Sequence, residues 1–273
     1  MSRVSLRVHP AANRAAALAA LFEGGVDSVQ EDGADLLTYV VSPDLADALT
    51  ARVRDADPGA AIETAVVQDA DWSHRWRQSL VARPVGRLTI TPPWLAHQFD
   101  PRTSVVIEPG MAFGTGDHAT TRGVVQLMDG VVHAGARVAD LGTGSGVLAI
   151  AAAKLGASRV VGIEFDPDAI PNAEVNVRSN GVHDVVSIIE GDAGTLLPFI
   201  APLDLVTANI ISSVLLNLLP TIRASLAADG TAILSGIMLS ERSAFLEALV
   251  ASAWRVDREV SEDEWWSVAI SPR

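Results

Sequence analysis

The feature that most constrains this chain is the regular alternation of short apolar strands and amphipathic helices from residue 135 onward. Arg137–Leu141 has the length and apolar content of a strand, Val147–Leu155 those of a helix, and Arg159–Glu164 those of the next strand. Strands that alternate with helices pair in parallel, because each helix carries the chain back across the sheet. We therefore predict an α/β fold with a doubly wound, Rossmann-like, seven-stranded sheet and an antiparallel strand at its end.

The first part of the chain, residues 1–68, shows a different order of elements. Ser42 followed by Pro43 is typical of the start of a helix. The predicted order is strand, helix, strand, strand, helix, strand, with approximate bounds 4–8, 10–22, 26–31, 36–41, 43–54 and 62–67. This order predicts a small α+β, ferredoxin-like domain, a plan that by itself names no function.

Two tryptophans, Trp72 and Trp76, lie four residues apart in the stretch between these regions. That spacing places them on one face of a short helix, which we predict as a linker over residues 69–80. The pair either forms a hinge or anchors an ordinary core, and the second interpretation is favoured. The remaining residues, 81–273, form the larger predicted domain.

The charge balance separates classes of partner. The chain carries 33 acidic and 20 basic residues, a net charge of −13, and residues 1–70 hold 11 of the acids against 5 arginines. Affinity for nucleic acid depends on Lys and Arg meeting phosphates, so no direct nucleic-acid partner is expected. An acidic surface suits either a basic protein partner or simple solubility, and charge alone does not decide between the two.

Other classes are excluded by what the sequence lacks. With no cysteine and no pair of histidines at metal-ligand spacing, no disulfide and no metal site is predicted. No run approaches the roughly 18 apolar residues of a membrane-spanning helix, and the N-terminus does not have the pattern of a signal peptide. We expect a cytoplasmic monomer with no membrane partner.

A glycine-rich loop follows the first strand of the alternating region and opens the next helix. It reads Asp140-Leu-Gly142-Thr-Gly144-Ser-Gly146, and Glu164 ends the second strand 22 residues after Gly142. Glycines permit a tight turn and let a ligand reach backbone amides. An acid at this distance accepts hydrogen bonds from ribose hydroxyls, so the pattern predicts a cofactor that contains a nucleoside.

The glycine spacing and Asp140 favour one cofactor over another. Dinucleotide sites prefer G-x-G-x-x-G, whereas this loop reads G-x-G-x-G, and Asp140 would repel a pyrophosphate. An acid at that position can instead hold the ammonium group of an amino acid. Adenosine joined to an amino acid without phosphates is S-adenosylmethionine, which disfavours a nicotinamide oxidoreductase.

Three further segments provide candidate site residues. Asn209 closes the fourth strand, where its amide can orient an amine nucleophile or the cofactor. Asp192 follows the third strand and can accept from an adenine amino group, although a turn explains it equally well. The loop 109–122 has three glycines and can act as a lid, in which Phe113 desolvates an incoming amine and His118 stabilises the loop.

The chain resembles a known family, the bacterial enzymes that methylate ribosomal protein eleven of the large subunit. The resemblance extends over nearly the whole chain and is weaker before residue 67. It is carried by the runs WSHRW (72–76), PGMAFGTGDHATTR (109–122), DLGTGSGVLAIAAAKLGASRVVGIEFDPDAI (140–170) and ANII (208–211). It implies a cytoplasmic enzyme that moves methyl groups from S-adenosylmethionine to lysine side chains and the N-terminal amine of that protein.

The resemblance also implies roles for parts of the chain. The N-terminal domain would recognise the substrate, and a flexible linker would reposition it. The cofactor contacts would be Thr121, Gly142, Glu164 and Asn209. The family usually has Asp where this chain has Glu164, and we expect weaker cofactor binding at most from the longer side chain.

Two alternatives remain open from the residues. RNA and glutamine-amide methyltransferases commonly carry an Asn-Pro-Pro-aromatic run after the fourth strand, whereas here Asn209 is followed by Ile210 and Ile211. A basic groove is also missing from the sequence. The other alternative is a non-catalytic module that binds S-adenosylmethionine, which turnover would distinguish from an enzyme.

Overall fold

The computed structural model describes residues 3–26, 29–32, 34–67, 80–110, 114 and 116–273. The chain divides into two compact units, Met1–Leu80 and Val81–Arg273. Residues 69–79 of the predicted linker helix, with Trp72 and Trp76, lie outside the described part of the chain. Within that part, no helix is both long and apolar enough to cross a bilayer.

The N-terminal unit has the predicted ferredoxin-like order. Its elements are β1 (Arg3–His9), α1 (Arg14–Glu23), β2 (Gln30–Asp32), β3 (Asp35–Val40), α2 (Pro43–Ala56) and β4 (Ala61–Val67). The sheet order is β2-β3-β1-β4, and each neighbouring pair is antiparallel. Alternate residues of β1, Val4, Leu6 and Val8, are buried in one apolar cluster with Leu21 of α1 and Leu49 of α2.

The helix starts of this unit follow from their capping residues. Ser42 Oγ accepts a hydrogen bond from Leu45 N at 3.2 Å, which confirms the predicted cap of α2. Helix α1 begins at Arg14, later than the sequence suggested, because Asn13 Oδ1 accepts from Ala16 N at 3.0 Å and sets the first turn there.

The second unit begins with a small sheet of order β5-β6-β7. Its strands are β5 (Arg83–Val85), β6 (Leu88–Thr91) and β7 (Ser104–Val106), and helix α3 (Ala119–Met128) follows. A 3₁₀ helix, Pro93–Gln98, lies between β6 and β7. At the end of β7 and just beyond it, the backbone of Val106 and Glu108 hydrogen-bonds the side chains of Asn180 and Asn176.

The main sheet has the predicted seven strands. They are β8 (Arg137–Leu141), β9 (Arg159–Glu164), β10 (Val186–Glu190), β11 (Leu203–Asn209), β12 (Leu226–Met238), β13 (Trp254–Glu262) and β14 (Trp265–Pro272). The helices that accompany them are α4 (Val147–Leu155), α5 (Ile170–Ser179), α6 (Ala193–Leu196), α7 (Ser212–Ser225) and α8 (Arg242–Ala251).

The order of this sheet is β10-β9-β8-β11-β12-β14-β13. Strands β8 to β12 pair in parallel, and β14 runs antiparallel to β12 and β13, as expected for the last strands. The chain order reverses between β8 and β11. In doubly wound sheets, ligands bind beyond the carboxyl ends of the strands at such a reversal.

Both faces of the main sheet are buried. Along β8, Val138 packs into a cluster with Ile150 of α4, while Ala139 and Leu141 pack on the opposite face with Leu215 of α7. A strand that is buried on both faces explains the near-continuous apolar runs in the sequence. A rigid base therefore lies beneath the loops at the carboxyl edge.

Candidate functional site

The glycine loop lies at the reversal of the sheet, between β8 and α4. Gly142, Gly144 and Gly146 have positive φ angles of 67°, 52° and 82°. A Cβ at Gly142 would lie 2.6 Å from Cγ2 of Ile210, just past the end of β11. The loop is therefore in close contact with the neighbouring strand end, and position 142 has room only for glycine.

Asp140 lies beneath this loop and is fully buried. Thr143 Oγ1 donates to its Oδ2 at 2.6 Å, and Thr207 Oγ1 donates to its Oδ1 at 2.8 Å. Burial raises the pKa of Asp140 to about 6, and the two hydroxyl hydrogen bonds oppose that rise.

A direct contact between Asp140 and an ammonium group stays a prediction. The buried carboxylate accepts two hydroxyl hydrogen bonds, which join the glycine loop to β11. Thr207 pairs with Asp140 in the register of the two strands, which the sequence did not reveal because 67 residues separate them.

Glu164 lies at the end of β9 and braces the same loop from the other side. Its Oε2 accepts a hydrogen bond from Gly144 N at 2.7 Å, and its Oε1 accepts from Phe165 N at 2.9 Å and Asp166 N at 3.0 Å. An ionised carboxylate has about four lone-pair positions, so these three amides leave it capacity for a hydroxyl donor. The half-buried Glu164 fits the expected role beside a ribose.

Asn176 of α5, which the sequence reasoning missed, ties the loop to the segment before α3. Its Nδ2 donates to Ser145 O at 2.9 Å, and its Oδ1 accepts from Glu108 N at 2.8 Å. Ser145 Oγ in turn donates to Gly114 O at 2.6 Å. A polar residue at a buried position of an amphipathic helix was the available signal.

Asn209 ends β11 and enters a chain of polar contacts with the start of α3. Its Nδ2 donates to Thr120 Oγ1 at 3.1 Å, and Thr120 Oγ1 lies 2.7 Å from His118 Nδ1. The His118 ring meets the Trp265 ring edge to face, with centroids 5.0 Å apart. Burial, followed by the nearby Arg122 guanidinium, holds the pKa of His118 below its usual value.

The remaining predicted site residues have separate surroundings. Thr121 is fully buried in the first turn of α3, and within the described residues its Oγ1 has no hydrogen-bond partner, so a polar group of a ligand would satisfy it. Asp192 is exposed and caps α6, since its Oδ1 accepts from Thr195 N at 2.8 Å. Phe113 lies outside the described part of the chain.

The geometry thus gathers Gly142, Gly144 and Glu164 into one unit at the carboxyl edge, with Asn209 on the neighbouring strand. An exposed glycine turn at Gly142, an acid for ribose hydroxyls and an unpartnered hydroxyl at Thr121 form a set that suits a nucleoside joined to an amino acid. This set fits S-adenosylmethionine as the group predicted from the sequence.

The comparisons with known proteins identify one family. The model of the ribosomal protein L11 methyltransferase (PrmA) family matches residues 13–272. The chain is 40% identical to the ribosomal protein L11 methyltransferase of Thermus thermophilus over 73% of this chain and 76% of that protein. It is 38% identical to that of Chloroflexus aurantiacus, over 78% of this chain and 72% of the relative.

A solved structure has the same fold. The ribosomal protein L11 methylase of Lactobacillus delbrueckii subsp. bulgaricus aligns with a TM-score of 0.64 and 32% identity, over 71% of this chain and 100% of that one. The seven-stranded order, the braced glycine loop and a family match over residues 13–272 lead to one conclusion. The chain belongs to the ribosomal protein L11 methyltransferase family.

Proposed function

We propose that this protein transfers methyl groups from S-adenosylmethionine to lysine side-chain and N-terminal amines of ribosomal protein L11, the eleventh protein of the large ribosomal subunit. The observation that carries the proposal is the braced loop at the reversal of the sheet, where Gly144 N donates to Glu164. Asn209 lies at the neighbouring strand end. Membership of the family supports the choice of substrate.

The bound cofactor supplies a methyl group that its sulfonium already activates, so the protein's task is to orient the acceptor and exclude water. The acceptor must be a neutral amine, although a free lysine has a pKa of about 10.4. Met111 and Phe113 of the lid would desolvate the amine and lower its pKa. Asn209 would orient the neutral amine through its side-chain amide.

The cofactor would be held by residues around the glycine loop. Glu164 would accept from a ribose hydroxyl with the capacity that its three backbone partners leave. Gly142 and Gly144 would present backbone to the ligand, and Thr121 would use its unpartnered hydroxyl. Asp192 would accept from the adenine amino group, and Asp140 would hold the loop in position from below.

We also propose a role for each part of the chain. Residues 1–68 would recognise the substrate protein, residues 69–80 would act as a linker, and residues 81–273 would perform the transfer. The acidic excess of residues 1–70, 11 acids against 5 arginines, suits a basic protein partner. We propose that the protein acts as a cytoplasmic monomer and does not bind nucleic acid directly.

The test is transfer of labelled methyl groups to purified ribosomal protein L11 and, in parallel, to a ribosomal extract separated into protein and RNA. Label in L11, with intact mass rising in steps of one methyl group, is the expected result. Label in RNA would contradict the proposal in favour of an RNA methyltransferase. Retained binding of S-adenosylhomocysteine without any transfer to either substrate would contradict it in favour of a binding module.

A further inference from the structure

We infer that His118, acting through Thr120, fixes the orientation of the Asn209 side-chain amide and is a positioning residue for methyl transfer. The inference uses the proposed function for its assay. It stands on three hydrogen-bond contacts between the loop, the first turn of α3 and the end of β11, at distances of 2.7, 3.1 and 3.3 Å.

The direction of these contacts follows from which groups can only donate. Thr120 N lies 3.3 Å from His118 Nδ1, and since a backbone N–H only donates, Nδ1 must accept. The proton of the neutral imidazole is then on Nε2. The Thr120 hydroxyl, 2.7 Å from Nδ1, therefore donates to Nδ1 as well.

With its proton directed at His118, Thr120 Oγ1 has only lone pairs for Asn209. It accepts from Asn209 Nδ2 at 3.1 Å, which places the amide nitrogen toward Thr120 and the carbonyl Oδ1 on the other side of the amide. A carbonyl oxygen accepts from the N–H of an amine. The hydrogen bonds that start at His118 thus leave Asn209 Oδ1 facing the methyl-accepting amine.

Neighbouring side chains hold the relay, the hydrogen-bonded series of His118, Thr120 and Asn209, in a single geometry. Ser235 Oγ donates to Thr120 O at 3.3 Å, and the Ser235 and Ser267 hydroxyls lie 2.7 Å apart. Thr120, Ser235 and Ser267 are all buried, and Trp265 packs against the His118 ring. Buried hydrogen bonds with satisfied partners are costly to rearrange, so the Asn209 amide is held from beneath.

Protonation of His118 reverses the direction of the hydrogen bonds from His118 through Thr120 to Asn209. An imidazolium donates from Nδ1, so Thr120 N–H loses its acceptor and the Thr120 hydroxyl must donate toward Asn209 instead. The amide then presents its NH₂ to the acceptor. Among the residues that the structure describes, the charged groups facing His118 are Arg122 of α3, which disfavours the imidazolium, and Asp117 and Glu264, which favour it.

The first experiment separates the relay from the helix cap. Thr120→Val removes the hydroxyl but keeps the backbone N–H that His118 caps, and Thr120→Ser is the matched variant that retains a hydroxyl. The kcat of methyl transfer to purified L11 is expected to fall at least tenfold for Thr120→Val. The loss of kcat for Thr120→Ser is expected to be at least fivefold smaller. Equal activity of the two variants, both folded by circular dichroism, would overturn the inference.

The second experiment uses pH. Since the amine acceptor must lose a proton, log kcat/KM of the wild type is expected to rise with a slope of about 1 above the His118 pKa and about 2 below it. His118→Asn keeps an acceptor near the position of Nδ1 and does not titrate. It should keep a slope of about 1 down to pH 5, and an unchanged break in its profile would overturn the inference.

The two proposals fail differently. If the wild-type protein transfers no methyl group to L11, the proposed function fails. If the wild type is active while Thr120→Val equals Thr120→Ser, only the positioning role of His118 fails. If His118 were only a helix cap, His118→Asn would keep the cap acceptor and leave the shape of the pH profile unchanged, which the second experiment detects.

Discussion

The backbone amide of Gly144 donates to Glu164 Oε2 at 2.7 Å, so the acid expected beside the cofactor also braces the loop that would cradle it. The other oxygen of Glu164 caps the turn after β9 through the amides of Phe165 and Asp166. We therefore expect loop geometry and cofactor affinity to be coupled through this one side chain.

Replacing Glu164 with Gln should weaken the cofactor site. An amide has a single acceptor oxygen, so either Gly144 N or the two amides of the turn lose their partner. We expect the affinity for S-adenosylhomocysteine, measured by calorimetry, to fall about tenfold, which is about 1.4 kcal/mol. The exposed Glu247→Gln of α8 is the control, and equal affinity of the two variants would contradict the coupling.

Replacing Glu164 with Asp tests whether the longer side chain impairs binding. The shorter carboxylate cannot reach both the Gly144 amide and the turn in the same geometry, while Asp is the residue that the resemblance predicts at this position. We expect the native protein to bind S-adenosylhomocysteine with an affinity within about tenfold of the Asp variant. Binding that calorimetry detects only in the variant would refute this expectation.

Gly142→Ala should destabilise the protein more than Gly181→Ala. Both glycines have a positive φ, 67° and 65°, so both substitutions add strain of about 1 kcal/mol. Only Gly142 would place its Cβ against a side chain, 2.6 Å from Ile210 Cγ2, whereas Gly181 has open space. We expect the free energy of unfolding in urea to fall by roughly 2–3 kcal/mol for the first and about 1 kcal/mol for the second. Similar losses of unfolding free energy in the two variants would show that the glycine loop adapts to a Cβ at position 142.

Asp140 gives the protein a pH-dependent stability of known sign. Burial raises its pKa from 3.8 to about 6, so between these values the folded state holds a proton that the unfolded chain has released. The contribution of Asp140 therefore lowers the free energy of unfolding by roughly 3 kcal/mol as the pH rises from about 4 to about 6. Above about pH 6 this contribution no longer changes.

Asp140→Asn removes that titration, and both Thr143 and Thr207 can reorient to an amide. The difference in unfolding free energy, wild type minus variant, should decrease between pH 4.5 and 7. Urea titrations at half-unit steps of pH provide the measurement. A difference that does not change with pH would mean that Asp140 ionises in the folded protein as readily as in water.

Phe113→Ala tests the proposed lid. Because an apolar ring near the amine lowers the pKa of the amine, its removal should reduce turnover while cofactor affinity stays unchanged. We expect kcat for L11 to fall by about tenfold, with S-adenosylhomocysteine binding measured in parallel. Unchanged turnover would reject the role of Phe113 in the lid.

Local patterns in the sequence predicted most of the fold. The bounds of β8, α4 and β9 agree with the structure residue for residue, and β8 and α4 end immediately before Gly142 and Gly156. The start of α1 was displaced, since the prediction placed it at Pro10 whereas the cap is Asn13.

The sequence by itself determined the residue types of the site and their place at strand ends, through the glycine loop and the spacing to Glu164. Only the tertiary structure decided that Asp140 lies beneath the loop, that Glu164 holds Gly144, and that Asn209 is linked to His118 through Thr120. The contact of Glu164 with Gly144 joins residues 20 positions apart, and that of Asn209 with Thr120 joins residues 89 positions apart. The physical reason is that hydrogen-bond partners across a sheet are set by register and packing, which leave no local trace in the sequence.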